Sequence, residues 1–203
     1  MKFTHLVILT LVVLLIGSIV LENIENNQTS EKIKMLWESV EERSNNIDPE
    51  KQSIAEIKAD LSAIEMYLIE IIELESRLNV KTNKDKQIRD IKIKYAELEL
   101  EAVRAMNTDF ISLYQHLKEA DAHAERNNIV NARIEYKNAL NDLIKLKSKM
   151  TNILARMRDL NLEPLDTEMQ LEIKWEIIYL EESIHELESM IIDLQEIVDS
   201  GCA

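Results

Sequence analysis

Between Leu21 and Ser200 this chain contains no glycine: of its two glycines, Gly17 lies inside an N-terminal apolar run and Gly201 in the last residues. Glycine supplies the positive φ angles of type I′ and II′ hairpins, of many helix ends and of phosphate-cradling loops. A chain without it is poorly equipped for sheets joined by tight hairpins and for nucleotide-binding α/β folds. The chain is 46% hydrophobic and 31% charged with two prolines, a composition suited to long helices. At 203 residues the chain suits one domain, and a helical domain of that length buries a real core when its helices fold back on one another.

The N-terminus carries the targeting information. Lys2 is the only charged side chain before Glu22, and the run from Phe3 to Leu21 is interrupted only by Thr4, His5, Thr10 and Ser18. As a helix, with a rise of about 1.5 Å per residue, it spans roughly 28 Å, close to the hydrocarbon thickness of a bilayer. Residues 1–21 are therefore expected to form an uncleaved signal anchor, a transmembrane helix that contacts the lipid bilayer through residues 3–21. A cleaved signal peptide is the rival reading, but its best cleavage position, after Ser18, is followed by Ile19, Val20 and Leu21, which continue the apolar run. No cysteine stands directly after the run, so a lipoprotein anchor is unsupported. Lys2 on one side against Glu22 and Glu25 on the other predicts a single-pass protein of the cell (plasma) membrane, the bulk of the chain extracytoplasmic. Phe3-Thr4 ahead of an apolar helix resembles the start of type IV pilins, although the glycine before the Phe and the glutamate after it are absent.

Beyond a polar linker at 22–29, the spacing predicts a short juxtamembrane helix at 30–47 with Ile33, Trp37 and Val40 on one side. Asp48 reads as the cap of the next helix and Pro49 as its first residue. Residues 48–199 then read as a bundle or coiled coil of four long helices, with a tail at 200–203. The first stripe is Ile54, Ile57, Leu61, Ile64, Leu68, Ile71 and, skipping Glu75, Leu78. A polar turn around Lys81 to Lys86 precedes the second stripe, Ile88, Ile91, Tyr95, Leu98, Ala102, Met106, Phe110, Leu113, Leu117, Ala120 and Ala124. Its three successive steps of four from Leu98 to Phe110 form a stutter. After Asn127-Asn128 the third stripe runs through Ile129, Ala132, Tyr136, Ala139, Leu143, Leu146, Met150, Ile153, Met157 and Leu160. Pro164 and Asp166 mark the last turn, where Thr167 and Gln170 fit a capping box. The last stripe is Ile173, Ile177, Leu180, Ile184, Leu187, Ile191, Leu194 and Val198. These are coiled-coil-like heptad seams. Flanking apolar residues (Ile69, Ile72, Leu74, Ile144, Ile178, Met190, Ile192 and Ile197) widen them to what a bundle needs. The expected fold is all-α: an N-terminal transmembrane helix followed by a bundle of long antiparallel helices.

Charge narrows the partners. The formal net charge is −14, with 38 acidic residues against 24 basic ones, of which Lys2 alone precedes the apolar run. Nucleic acid and anionic lipid surfaces repel such a domain. Lys145, Lys147, Lys149, Arg156 and Arg158 are the one local basic group, and they read as a solvated face, so no nucleic-acid partner is expected. Cys202 is the single cysteine and has no partner for an internal disulfide.

Motifs with chemical content are few. Glu182-Ser183-Ile184-His185 has the E-x-x-H spacing that resembles half of a ferritin-like di-iron site, but it occurs once and lies off the seam. His116, Glu119 and His123 share one helix face at spacings that suit a surface metal or a pH-responsive cluster, yet they border the Leu117 and Ala120 seam as ordinary amphipathic residues do. No catalytic, cofactor-binding or metal-binding residue is predicted, and no enzymatic activity. Ala120, Ala132, Tyr136 and Ala139 resemble a tetratricopeptide helix pair, or the helical hairpin of microtubule-interacting-and-transport domains. The pattern occurs once, without the expected proline or glycine, and implies two packed helices. Asn27-Gln28-Thr29 is a glycosylation sequon close to the bilayer. The expected function is a membrane-tethered structural or interaction protein of the cell envelope, with a protein partner or a second copy held through helical faces. An exported sensory or ligand-binding bundle is the alternative.

Overall fold

Steps of three and four in the apolar pattern put one stripe on each helix, and the stable solution is to turn every stripe inward. The computed structural model describes residues 27–49 and 51–200. It contains α1 (Asn27–Asn46), α2 (Ile54–Arg77), α3 (Asn83–Ala105), a π-helical turn (Met106–Phe110), α4 (Ile111–Glu125), α5 (Ile129–Arg158) and α6 (Thr167–Ser200). Among the described residues there is no strand, and the fold is a helical bundle. The expected anchor at residues 1–21 lies outside the described residues. Among those described, no helix is long and apolar enough to cross a membrane.

The helices α1, α3–α4 and α6 run one way and α2 and α5 the other. Lys32 of α1 pairs with Glu70 of α2 at 2.5 Å and Arg43 with Asp60 at 2.8 Å, which sets those two antiparallel. Arg104 of α3 meets Glu65 of α2 at 2.7 Å, and Arg156 of α5 meets Glu101 of α3 at 2.5 Å. At one end α1, α2, α3, the end of α5 and the start of α6 share the core. At the other end α4, the start of α5 and the end of α6 form a three-helix section. α1 is thus part of the bundle: Ile33, Leu36, Trp37 and Val40 are buried in the common core. It begins at Asn27, so the last three residues of the stretch read as linker are helical, the sequon among them.

The seams are buried largely as spaced. Ile57, Leu61, Ile64, Leu68 and Ile71 line α2, and Leu143, Leu146, Met150, Ile153 and Met157 line α5. Each such side chain contributes about 1.5–3 kcal/mol through burial. Ile129, at the head of its stripe, is exposed instead. Of the flanking residues, Ile72, Leu74, Met190 and Ile197 pack against the core, whereas Ile69, Ile144, Ile178 and Ile192 stay exposed. The position skipped in the α2 stripe is buried nonetheless. Glu75 sits in the seam, its carboxyl pushed up by burial, a rise opposed by Lys92 and Arg89. Lys92 is pushed down by the same burial and held up by Glu75 and Asp166.

Helix ends correct two expectations. Asp48 and Pro49 do not open α2. The Asp48 carbonyl accepts from the amides of Lys51 and Gln52 in a turn, and Ser53 is the cap, in a reciprocal capping box with Glu56. Two satisfied amides at Ser53 and Glu56 outweigh the one pre-set φ angle that proline offers. At α6 the cap is Asp166, whose Oδ1 accepts from the Met169 amide at 2.9 Å, and Gln170 reaches back to the Leu165 carbonyl. Thr167 is already inside the helix.

Without glycine, a left-handed residue has to come from elsewhere. Asn127 has φ 57° and is the one non-glycine residue with positive φ in the described chain. The Asn127 amide donates to the Ala124 carbonyl and the Asn128 amide to the His123 carbonyl, both at 2.9 Å, which closes α4 in a Schellman motif. Asn128 then caps α5. Asn127→Ala is expected to lower stability by about 1 kcal/mol and Asn127→Gly to leave it equal or higher, in paired urea melts. Equal losses in both variants would contradict the backbone explanation.

The stutter also has a structural counterpart. Three steps of four carry a stripe about 120° around a regular α-helix. The π turn at Met106–Phe110 rotates less per residue and returns Phe110 to the core, beside buried Met106. Within the turn the Thr108 hydroxyl donates to the Arg104 carbonyl at 2.8 Å.

Candidate functional site

Three features carry more than packing. The first lies where α1, α3 and α6 meet. Tyr95 and Glu99 are one turn apart on α3, and Glu172 and Glu176 one turn apart on α6. Glu99 and Glu176 are only 2% and 1% exposed. The Tyr95 hydroxyl donates to Glu176 Oε2, and the Trp37 ring lies 5.9 Å from that of Tyr95. Burial pushes the Tyr95 hydroxyl well above its usual range, helped by Glu176, Glu99 and Glu172. The Glu99 carboxyl is pushed to about 8 by burial, with the Tyr95 hydroxyl opposing the rise, and Glu99 Oε1 has no hydrogen-bond partner. Glu172 is pushed to about 7, first by burial and then by repulsion from Glu168, Asp166 and Glu41. One phenolic proton cannot serve two carboxylates, and the one on Tyr95 goes to Glu176, so a neutral Glu99 fits this arrangement.

The second feature joins α4 to α5. His116 Nδ1 lies 2.6 Å from Glu135 Oε2, and His116 Nε2 lies 3.8 Å from Asp142 Oδ2. The Ser112 hydroxyl donates to Asp142 Oδ2 at 2.5 Å and Lys145 donates to Oδ1 at 2.9 Å. Asp142 is buried, which acts to raise its carboxyl, but the bonds from Ser112 and Lys145 and the charge on Lys145 and His116 hold it below the usual range. His116, Glu119 and Glu135 each place a ligand atom within 4.8 Å of the others. The face that sequence spacing suggests, His116 with Glu119 and His123, is thus reorganised: His123 is left out of this group and α5 supplies Glu135 and Asp142. Their separations from His116 of 19 and 26 positions follow no helical rule.

The third feature is an outward row on α6. Leu171, Trp175 and Ile178, at steps of four and three, are 51%, 53% and 42% exposed. Trp175 stacks obliquely on Tyr179, and the row faces away from Ile173, Glu176 and Leu180. A groove of about 540 Å³ opens in the three-helix section, lined among others by Tyr114, Leu117, Tyr136 and Leu194.

The other motifs are used structurally. Lys147 pairs with Glu188 at 2.8 Å and Lys149 with Asp109 at 2.5 Å, while Arg158 pairs with Glu181. With Lys145 on Asp142 and Arg156 on Glu101, all five cations of the basic group are matched by carboxylates, and four of the pairs cross between helices. Such pairs contribute little each, but they leave no basic patch on this face. His185 is exposed and faces Glu188 at 3.2 Å, with Glu182 also at the surface, so the E-x-x-H motif does not enter the core. Ala120, Ala132 and Ala139 are fully buried and let α4 pack tightly on α5, with the Tyr136 hydroxyl donating to Asp121 at 2.8 Å. Cys202 lies outside the described residues.

These observations define a class by fold, an antiparallel helical bundle stitched by cross-helix ion pairs. Comparison with protein-family models, curated proteins and solved structures finds no match to this chain.

Proposed function

We propose that this protein is a membrane-tethered helical bundle that holds or spaces a partner in the cell envelope. The observation that carries the reading is the outward row Leu171, Trp175 and Ile178. The core of α6 is already complete without it, and anchors at i, i+4 and i+7 are what a helix presents to a hydrophobic groove. A tryptophan at the centre is the residue type that most often dominates such contacts. The apolar run at 3–21 precedes α1, and α1 begins at the end of the bundle where α6 begins, so a tether there holds the row near the bilayer surface. The groove beside Tyr114 and Tyr136 favours the second reading, an exported ligand-binding bundle.

The native Cys202 allows a direct test of the tether. The chain is expected to stay in the membrane pellet after alkaline carbonate, and intact cells are expected to label Cys202 with a membrane-impermeant maleimide, a C202S chain giving no signal. A photo-reactive residue at Trp175 is expected to crosslink a defined partner in native membranes more strongly than one at Ser189, an exposed position two heptads further along α6. A chain recovered in the soluble fraction, or equal crosslinking at both positions, defeats the proposal.

A further inference from the structure

His116 stands between two carboxylates on opposite sides of its ring. Glu135 faces Nδ1 at 2.6 Å, and Asp142 faces Nε2 at 3.8 Å. Glu119, one turn beyond His116 on α4, brings a third carboxylate to the group, so that one ligand atom each of His116, Glu119 and Glu135 lies within 4.8 Å of the others. We propose that His116, Glu119 and Glu135 hold a divalent transition-metal ion across the α4–α5 hairpin, with Asp142 as the positioning residue behind His116.

Four arguments converge on this site. The donor set, one imidazole nitrogen and two carboxylate oxygens, suits borderline ions of the zinc and cobalt kind and is unlike the all-oxygen cages of calcium and magnesium. A metal-bound histidine generally donates its second ring N–H to a carboxylate, which fixes its tautomer and direction. Asp142 lies on that side, its Oδ2 3.8 Å from Nε2, so a small shift of the ring brings it into hydrogen-bond contact, and it is buried and held in place by Ser112 and Lys145. Charge favours a cation as well: Glu119, Glu135 and Asp142 surround His116, and among the described residues Lys145 is the one cation bonded into the group. Finally, Glu119 is exposed while His116 and Glu135 are half-buried, which leaves an approach from solvent and open positions for water on the ion. Two ligands come from α4 and one from α5, so the ion staples the hairpin that Asn127 and Asn128 close.

The test is zinc titration by calorimetry of the full chain in detergent, carrying C202S so that the lone thiol cannot compete, with cobalt absorption as a second probe. The parent chain is expected to bind one equivalent of zinc and to melt at a higher temperature with it, because the ion binds the folded state. H116A and E119Q are expected to weaken binding roughly tenfold or more, and D142N by roughly 10- to 100-fold. H123A and H185A are expected to bind as the parent does. E119Q is the decisive variant, since an exposed glutamine leaves the fold intact, which circular dichroism verifies. No saturable binding by the parent, or equal affinity in H116A and E119Q to that of the parent, overturns the site. Weak binding shared by every variant does the same, since it places zinc on scattered surface carboxylates.

Discussion

The bundle is expected to lose stability as pH rises from about 5 to about 8, and a Glu99→Gln chain to lose markedly less. The Glu99 carboxyl, pushed to about 8 by burial, keeps its proton in the folded state over a range where the unfolded chain has already released it. Below the unfolded value, near 4.5, both states are protonated and the group contributes no penalty. Between the two values each pH unit removes about 1.4 kcal/mol, and above the folded value the full penalty stands. Glu172 acts in the same direction up to about 7. Glu56, Asp142 and Glu188 are held below the usual carboxylate range, so their contributions are lost in acid and do not mask the alkaline trend. Glutamine keeps the neutral shape at position 99, so E99Q is expected to exceed the parent by a few kcal/mol at pH 8 and to match it closely at pH 5. Urea melts at several pH values measure the difference directly. Parallel stability curves for the two chains would falsify the buried-proton account.

Deletion of Thr108 is expected to leave the bundle folded, whereas deletion of Glu97 is expected to abolish cooperative melting. A π turn amounts to one residue inserted into an α-helix. Removing a residue from Met106–Phe110 lets α3 run into α4 as regular helix with both stripes still inward. The loss is then that of local bonds, Thr108 to the Arg104 carbonyl and the contact of Asn107 with Ser62, about 1–2 kcal/mol together. Glu97 is itself exposed, so its side chain is dispensable, but its deletion rotates one part of the helix by about 100° against the rest. That turns one half of the stripe from Ile91 to Leu117 toward solvent. Thermal melts followed by circular dichroism separate the cases, and equally early melting of both deletions contradicts the inserted-residue reading.

Much of this fold is written locally. Helix periodicity depends on neighbours three and four positions apart, so the stripes of α2, α5 and α6 were legible residue by residue. The missing glycine forced the one left-handed turn onto Asn127, beside a boundary the Asn127-Asn128 pair already marked. Ser53 and Glu56 carry a capping box in plain view, masked by the more conspicuous Asp48-Pro49. The candidate sites were less legible. A charged residue in a heptad is assigned to solvent by pattern, yet Glu75, Glu99 and Glu176 are buried because several helices close over them at once. His116 and Glu119 were visible as a pair, but Glu135 and Asp142 reach them only through the α4–α5 pairing.

The absence of glycine and the step of the apolar residues determined by themselves that the chain from Ser30 to Asp199 is built of helices and roughly where each helix turns. The tertiary structure decided which face of each helix is covered. Leu171, Trp175 and Ile178 repeat with the same four-and-three step as the buried row through Ile173 and Leu180, and only the placement of α3 and α5 leaves the first row outside. The physical reason is one of range: backbone hydrogen bonding and φ preferences act within a turn, whereas burial of a side chain is a property of whichever distant helix happens to lie against it.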